Sequence, residues 1–222
     1  MGIARYKYEI NFDFFENKNS EYWYFLGFIA SDGYISDDRI EICLNKKDAY
    51  MVENFRDMIC PQKPVYIKPK TNSVKFTIHS KEIAKTFKEF FSLTTNNKHA
   101  EIKFPNIPNK YLKDFIRGYI DGDGSISKAK GKQIVNGEKR IYLGIRLRIL
   151  GNYDFLKEMI ELIRKEIPNK TYSIIKRKNE NVYEVTYNFS VAEKILHWLY
   201  DDSNIYLKRK KDKFISLINN KE

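Results

Sequence analysis

The feature that most constrains this chain is that it is written twice. The stretch "FLGFIASDGYIS" at 25–36 answers "FIRGYIDGDGSIS" at 115–127, so that Gly27 matches Gly118, Asp32 matches Asp123 and Gly33 matches Gly124 at an offset of 91 residues. A long internal repeat means one structural unit used twice. Downstream, "EICLNKKDAYMVENFRDMI" parallels "IRLRILGNYDFLKEMIELI", each passing from an alternating to a helical pattern through Asn45 or Asn152. A second pair, "SVKFTIHSKEIAKTFKEFF" and "VYEVTYNFSVAEKILHWLY", runs from strand to helix with Ser80 and Ser190 placed as N-caps. Each half therefore predicts helix, two strands, helix, two strands, helix, and the class is α+β. The expected divisions are an irregular extension over 1–21, a first repeat over 22–92, a turn-rich linker over 93–109 and a second repeat over 110–222.

Strand alternation separates two faces in each repeat. Ile40, Ile42, Leu44, Phe76 and Ile78 are expected inward, as are Leu143, Ile145, Leu147, Val185 and Tyr187. The outward set is polar and basic: Arg39, Lys75, Thr77 and His79 in the first half, and Arg146, Arg148, Thr186 and Asn188 in the second, with Lys68, Lys70 and Arg177 on adjoining strands and turns. Forty Lys and Arg against 29 Asp and Glu leave a formal charge of +11, which makes a polyanion, nucleic acid first, the expected partner of those side chains. With 42% hydrophobic residues the chain is too apolar for a disordered basic tail. No apolar stretch approaches the roughly 20 residues of a membrane span. The first residues lack a secretory h-region, which points to a soluble intracellular protein of the cytoplasm or an organelle matrix. Cys43 and Cys60 are neither a disulfide framework nor a zinc pair, and His79, His99 and His197 are scattered.

The matched motifs carry the chemistry. Gly27 and Ser31, like Gly118 and Gly122, are small residues four apart on one helical face, a spacing that lets two helix backbones approach closely. Gly33 and Gly124 stand where a helix ends, and a left-handed C-cap is expected at each. Asp32 and Asp123 precede them, at ends where the helix dipole is already negative. If the small faces pack together, two carboxylates and two carbonyl-rich ends converge, and a divalent cation bound by oxygen, Mg²⁺, suits that ligand set. Asp121 and Asp123 cannot form a clamp of their own, being two apart on a helix. An EF-hand reading of "DGDGSISKAKGK" fails on Ile126 and Lys132.

"FLGFIASDG" and "FIRGYIDGDG" resemble the two motifs of single-chain LAGLIDADG homing endonucleases, and the likeness extends over nearly the whole chain from Tyr22. The resemblance implies two pseudo-symmetric αββαββα repeats forming a saddle on double-stranded DNA, with the motif helices packed at the centre. It implies a monomer that cuts a long specific target at one strand per motif aspartate. Asp32 and Asp123 would be catalytic metal ligands, assisted by the backbone carbonyls of Ser31 and Gly122. Mg²⁺ would be the metal, Mn²⁺ a substitute, and Ca²⁺ a support for binding with little cleavage. Lys98 and Lys210 are the matching active-site lysines, with Lys208 as the alternative to Lys210. The same resemblance leaves a second class open: an intron RNA maturase or a catalytically silent DNA-binding regulator.

Overall fold

The computed structural model describes residues 8–95, 97–135, 137–169, 173–178 and 182–219. The first repeat runs α2 (Ser20–Asp32), β1 (Gly33–Ile35), β2 (Arg39–Asn45), α3 (Ala49–Ile59), β3 (Tyr66–Lys68), β4 (Ser73–His79) and α4 (Lys81–Phe90), preceded by a single turn, α1 (Asp13–Glu16). After the short α5 (Lys98–Glu101), the second repeat runs α6 (Leu112–Asp123), β5 (Gly124–Val135), β6 (Glu138–Gly151), α7 (Tyr153–Glu166), β7 (Ile174–Lys176), β8 (Tyr183–Asn188) and α8 (Phe189–Tyr200), and α9 (Lys208–Asn219) follows. The two sheets have the same antiparallel order, β1-β2-β4-β3 and β5-β6-β8-β7. Equal order in both halves is the predicted repeat realised in space.

Alternation places Ile40, Ile42, Phe76 and Ile78 in the core of the first sheet, and Ile145, Leu147, Val185 and Tyr187 in that of the second. The helices close over those faces, and α2 and α6 join the two cores into one. Local caps work as their side chains allow: Ser80 accepts from the Ile83 amide at 3.2 Å and Asn152 from the Phe155 amide at 2.9 Å. Among the described residues no helix is long and apolar enough to cross a membrane.

Two expectations are corrected. Leu143, assigned inward, is 48% exposed, because β5 and β6 run on as a two-stranded ribbon beyond the helices that cover the rest of the sheet. Ser190 is not an N-cap: α8 begins at Phe189, two residues before the start a Ser190 cap would give, with Asn188 at the cap position and no side-chain capping bond. The chain turns there through Phe189 itself, whose φ of 54° is a left-handed value that shifts the helix start.

Candidate nuclease site

Small residues bring α2 and α6 together at the centre of the molecule. A methyl group built on Gly27 would lie 2.0 Å from the Phe115 carbonyl oxygen, and one on Gly118 would lie 2.1 Å from that of Tyr24. Tyr24 and Phe115 are themselves repeat partners at the 91-residue offset, so the crossing has a local two-fold symmetry. One turn further on, Gly122 faces Ser31, and a methyl there would meet the Ser31 hydroxyl at 1.9 Å and the Asp32 carboxyl carbon at 3.3 Å. The carboxylate of one motif thus lies against the backbone of the other.

The glycines that end these helices are not left-handed, contrary to the sequence expectation. Gly33 has φ −76°, ψ 153° and Gly124 φ −85°, ψ 156°, extended values open to any residue. Their requirement is steric. Each strand leaves its helix so abruptly that a side-chain carbon would lie 2.7 Å from the Ile29 oxygen or 2.4 Å from the Ile120 oxygen. The abrupt exit makes Asp32 and Asp123 the last helical residues, with Asp32 exposed and Asp123 half-buried. Burial and the neighbouring Asp32 carboxylate push the Asp123 carboxyl up to about 6.

Two buried lysines meet the same helix ends. Lys98 from α5, 4% exposed, donates to the carbonyls of Ile29 at 2.8 Å, Ser31 at 2.6 Å and Gly33. Lys210 from α9, 6% exposed, donates to Ile120 at 2.7 Å and Gly122 at 2.9 Å. Burial pulls both ammonium groups down to about 8, partly opposed by the carboxylates nearby: Asp123 and Asp32 for Lys98, Asp121 first for Lys210. Lys208 is placed differently, on the surface and paired with Asp212 at 2.8 Å. An ammonium ion also answers the C-terminal end of the helix dipole.

The donor set suits a hard divalent cation. The Asp32 and Asp123 carboxylates and the Ser31 and Gly122 carbonyls offer oxygen ligands here, and among the described residues no group of three or more His, Cys, Asp or Glu is placed to hold a metal ion. The carbonyls of Ser31 and Gly122 each accept one lysine hydrogen bond, and a carbonyl oxygen has a second lone pair.

Asp121 has a separate role that spacing alone does not disclose. It is fully buried and accepts from the Tyr24 hydroxyl at 2.7 Å, the Tyr200 hydroxyl at 2.6 Å and the Leu207 amide at 2.7 Å. Burial raises its pKa, against the pull of Lys210 and these donors. The Leu207 bond fixes the residue just before α9, three positions ahead of Lys210.

The outward sheet faces are cationic lattices with a carboxylate in each. Glu41 accepts from Lys75 at 3.1 Å and Thr77 at 3.3 Å and lies 3.5 Å from Arg39, while His79 stands opposite Arg39 in the ladder. In the second sheet the pair recurs with its charges exchanged, Arg148 standing where Glu41 does and Glu184 where Lys75 does: Glu184 accepts from Thr186 at 3.0 Å and pairs with Arg148 at 3.3 Å, with Arg146 held on Asn188 at 2.9 Å. Lys68 is half-buried at the outer end of the first sheet, and Lys70 and Arg177 are exposed beyond the edge strands. Burial alone would raise the Glu41 pKa, but the Lys75 and Thr77 hydrogen bonds and the adjacent cations bring it below the ordinary value.

This fold is that of the single-chain LAGLIDADG homing endonucleases. The chain is similar to the LAGLIDADG meganuclease I-AabMI bound to uncleaved DNA, at 17% identity and TM-score 0.58 over 90% of each chain. It is similar to the LAGLIDADG homing endonuclease I-LtrWI bound to target DNA, at 16% identity and TM-score 0.56, covering 91% of this chain and 92% of that one. A doubly substituted form of I-SmaMI matches at 14% identity and TM-score 0.63 over 90% of each chain. No protein-family model matches the sequence, and no curated protein matches it.

Proposed function

We propose that the protein is a site-specific endonuclease that hydrolyses both strands of duplex DNA at the junction of α2 and α6. The observation that carries this reading is the convergence of two carboxylates and two buried lysines on two symmetric helix ends. The DNA-bound state of the similar nucleases agrees with it. Asp32 and Asp123, with the Ser31 and Gly122 carbonyls, would hold Mg²⁺, for which Mn²⁺ substitutes, while Ca²⁺ permits binding with little cutting. A divalent ion bound there supplies Lewis-acid stabilisation of charge at the phosphoryl and leaving oxygens.

The chain's own groups do the rest. Lys98 and Lys210 each place positive charge beside one helix end, where a scissile phosphate would develop negative charge. The outward lattices grip the duplex on either side. Arg39, Lys68, Lys70, Lys75, Arg146, Arg148 and Arg177 contact phosphates or guanines, and Thr77, His79, Thr186 and Asn188 meet base edges. Because both repeats lie in one chain, one monomer suffices for one asymmetric target inside a DNA-containing compartment.

Selecting cut sequences from a randomised duplex library with Mg²⁺ tests the proposal. Cleavage at one long recurrent sequence by the parent, and not by Asp32→Asn or Asp123→Asn, is expected. A parent that binds its best target and never cuts it overturns the reading.

A further inference from the structure

Each buried lysine rides on an element too weak to place it alone. Lys98 sits on α5, a single turn of four residues, and one turn does not hold itself in water. Lys210 sits in the first turn of α9, where the leading amides have no partner inside the helix. A lysine side chain is long and flexible, so the carbonyls its ammonium reaches depend on where the backbone beneath it is fixed.

The fixing groups come in part from the opposite repeat. Lys98 bonds the end of the first motif helix, yet the carbonyl of Ile102, the residue that ends α5, accepts from the Asn152 side-chain amide at 2.7 Å. Asn152 is the N-cap of α7, in the second repeat. Lys210 bonds the end of the second motif helix, yet its neighbours are held from the start of α3, in the first repeat: the Lys208 amide donates to the Tyr50 hydroxyl, and Arg209 pairs with Asp48 at 2.8 Å.

Asp48 shows the diversion most plainly. It stands at the N-cap of α3, where an aspartate ordinarily accepts from an amide of its own helix, and it makes no such bond. It is 4% exposed, and its carboxylate accepts from Arg209 Nε instead. Asn152 does both tasks, its Oδ1 accepting from the Phe155 amide at 2.9 Å while its Nδ2 donates to Ile102. The cap positions of two matching helices therefore reach across the molecule in both directions, one with an amide on a carbonyl and the other with a carboxylate on a guanidinium.

We infer that Asp48, Tyr50 and Asn152 are positioning residues for the lysine at the opposite repeat's helix end, so that each half of the molecule sets the pose of the other half's ammonium. The inference rests on the nuclease reading above. Its consequence is crossed: a change at the start of α3 slows the strand that Lys210 attends, and a change at the start of α7 slows the strand that Lys98 attends.

The test is single-turnover cutting of one selected target with each strand labelled and binding saturated, Lys98→Met and Lys210→Met identifying the strand each lysine attends. Asn152→Asp keeps the acceptor that caps α7 and loses only the donor to Ile102. Tyr50→Phe keeps the ring and loses the acceptor for the Lys208 amide, and Asp48→Asn removes the charge facing Arg209. Asn152→Asp should slow the Lys98 strand on the order of tenfold, and Tyr50→Phe with Asp48→Asn the Lys210 strand by a similar factor, each leaving the other strand at the parent's rate. Adding Arg209→Gln to Asp48→Asn should slow cutting no further than Asp48→Asn alone, because the two act as one pair. Should Asp48→Asn fail to fold, Tyr50→Phe and Asn152→Asp carry the comparison. Equal slowing of both strands, slowing of the uncrossed strand, or parental rates in the folded variants overturns the inference while leaving the nuclease intact. A parent that cuts neither strand of any target overturns both readings.

Discussion

The motif helices are symmetric at their small-residue crossing and unlike at the positions that flank it. At matching positions α2 carries Trp23, Leu26 and Ala30, all buried among apolar neighbours, whereas α6 carries Asp114, Arg117 and Asp121, equally buried. Arg117 bonds Asp114 at 2.7 Å and the carbonyls of Leu199 at 3.0 Å and Ile205 at 2.9 Å, and Asp121 takes the Leu207 amide. These polar groups grip the segment that delivers Lys210. The corresponding segment in the first repeat, delivering Lys98, is held by buried Phe91 and Leu93 and by Glu101, whose carboxylate accepts from the Thr94 and Thr95 amides at 2.8 and 2.9 Å. Two solutions therefore give one arrangement: the repeat preserves the pose of the two lysines on matching carbonyls and varies the means of holding them.

The largest expected effects test the symmetric part. Gly27→Ala and Gly118→Ala each drive a methyl into a backbone carbonyl that cannot yield without parting the helices. Each should cost about 3 kcal/mol or more, by equal amounts, in chemical denaturation. A large inequality would break the symmetry argument.

Next is the asymmetric part. Asp121→Asn removes a charge that opposes Lys210 and misfits three donors, for about 2 kcal/mol. It should also slow cutting of one strand far more than the other, so that nicked product accumulates. If both strands slow together, Asp121 is only a stability residue.

The smallest effect concerns the carboxylate pair. A carboxyl held near 6 in the folded protein and near 3.8 unfolded binds protons more tightly when folded, so its ionised form costs stability above pH 6, and the cost fades as pH falls toward 4. Asp123→Asn should then raise thermal stability at pH 7.5 without metal by about 1 kcal/mol, a gain that shrinks below pH 6. For the lysines the sign reverses. Their depressed pKa makes the folded state bind fewer protons between about 8 and 10.5, so stability rises with pH there. Lys98→Met and Lys210→Met should remove comparable shares of that slope.

How far the molecule was legible depended on sequence distance. The repeat, the sheet faces and the small-residue crossing follow from patterns a few residues long, and the structure has them. The partners of Asp121 lie 97, 79 and 86 residues away, so no local pattern reveals that it anchors the approach to Lys210. The neutralising part of Glu41 and Glu184 was hidden because cross-strand pairing depends on register. The glycines at the helix ends were read as left-handed because composition marks a turn without saying whether φ or crowding demands the missing side chain.

The central claim is that the two helix ends form one active site, each indispensable to it. Single-turnover cleavage of one selected target, with both strands labelled and binding saturated, compares the parent with Asp32→Asn and Asp123→Asn. Loss of cutting by orders of magnitude in each variant, with duplex affinity equal to or better than the parent's as a negative charge is removed near phosphate, is the predicted result. Undiminished cleavage of both strands by either variant would contradict it.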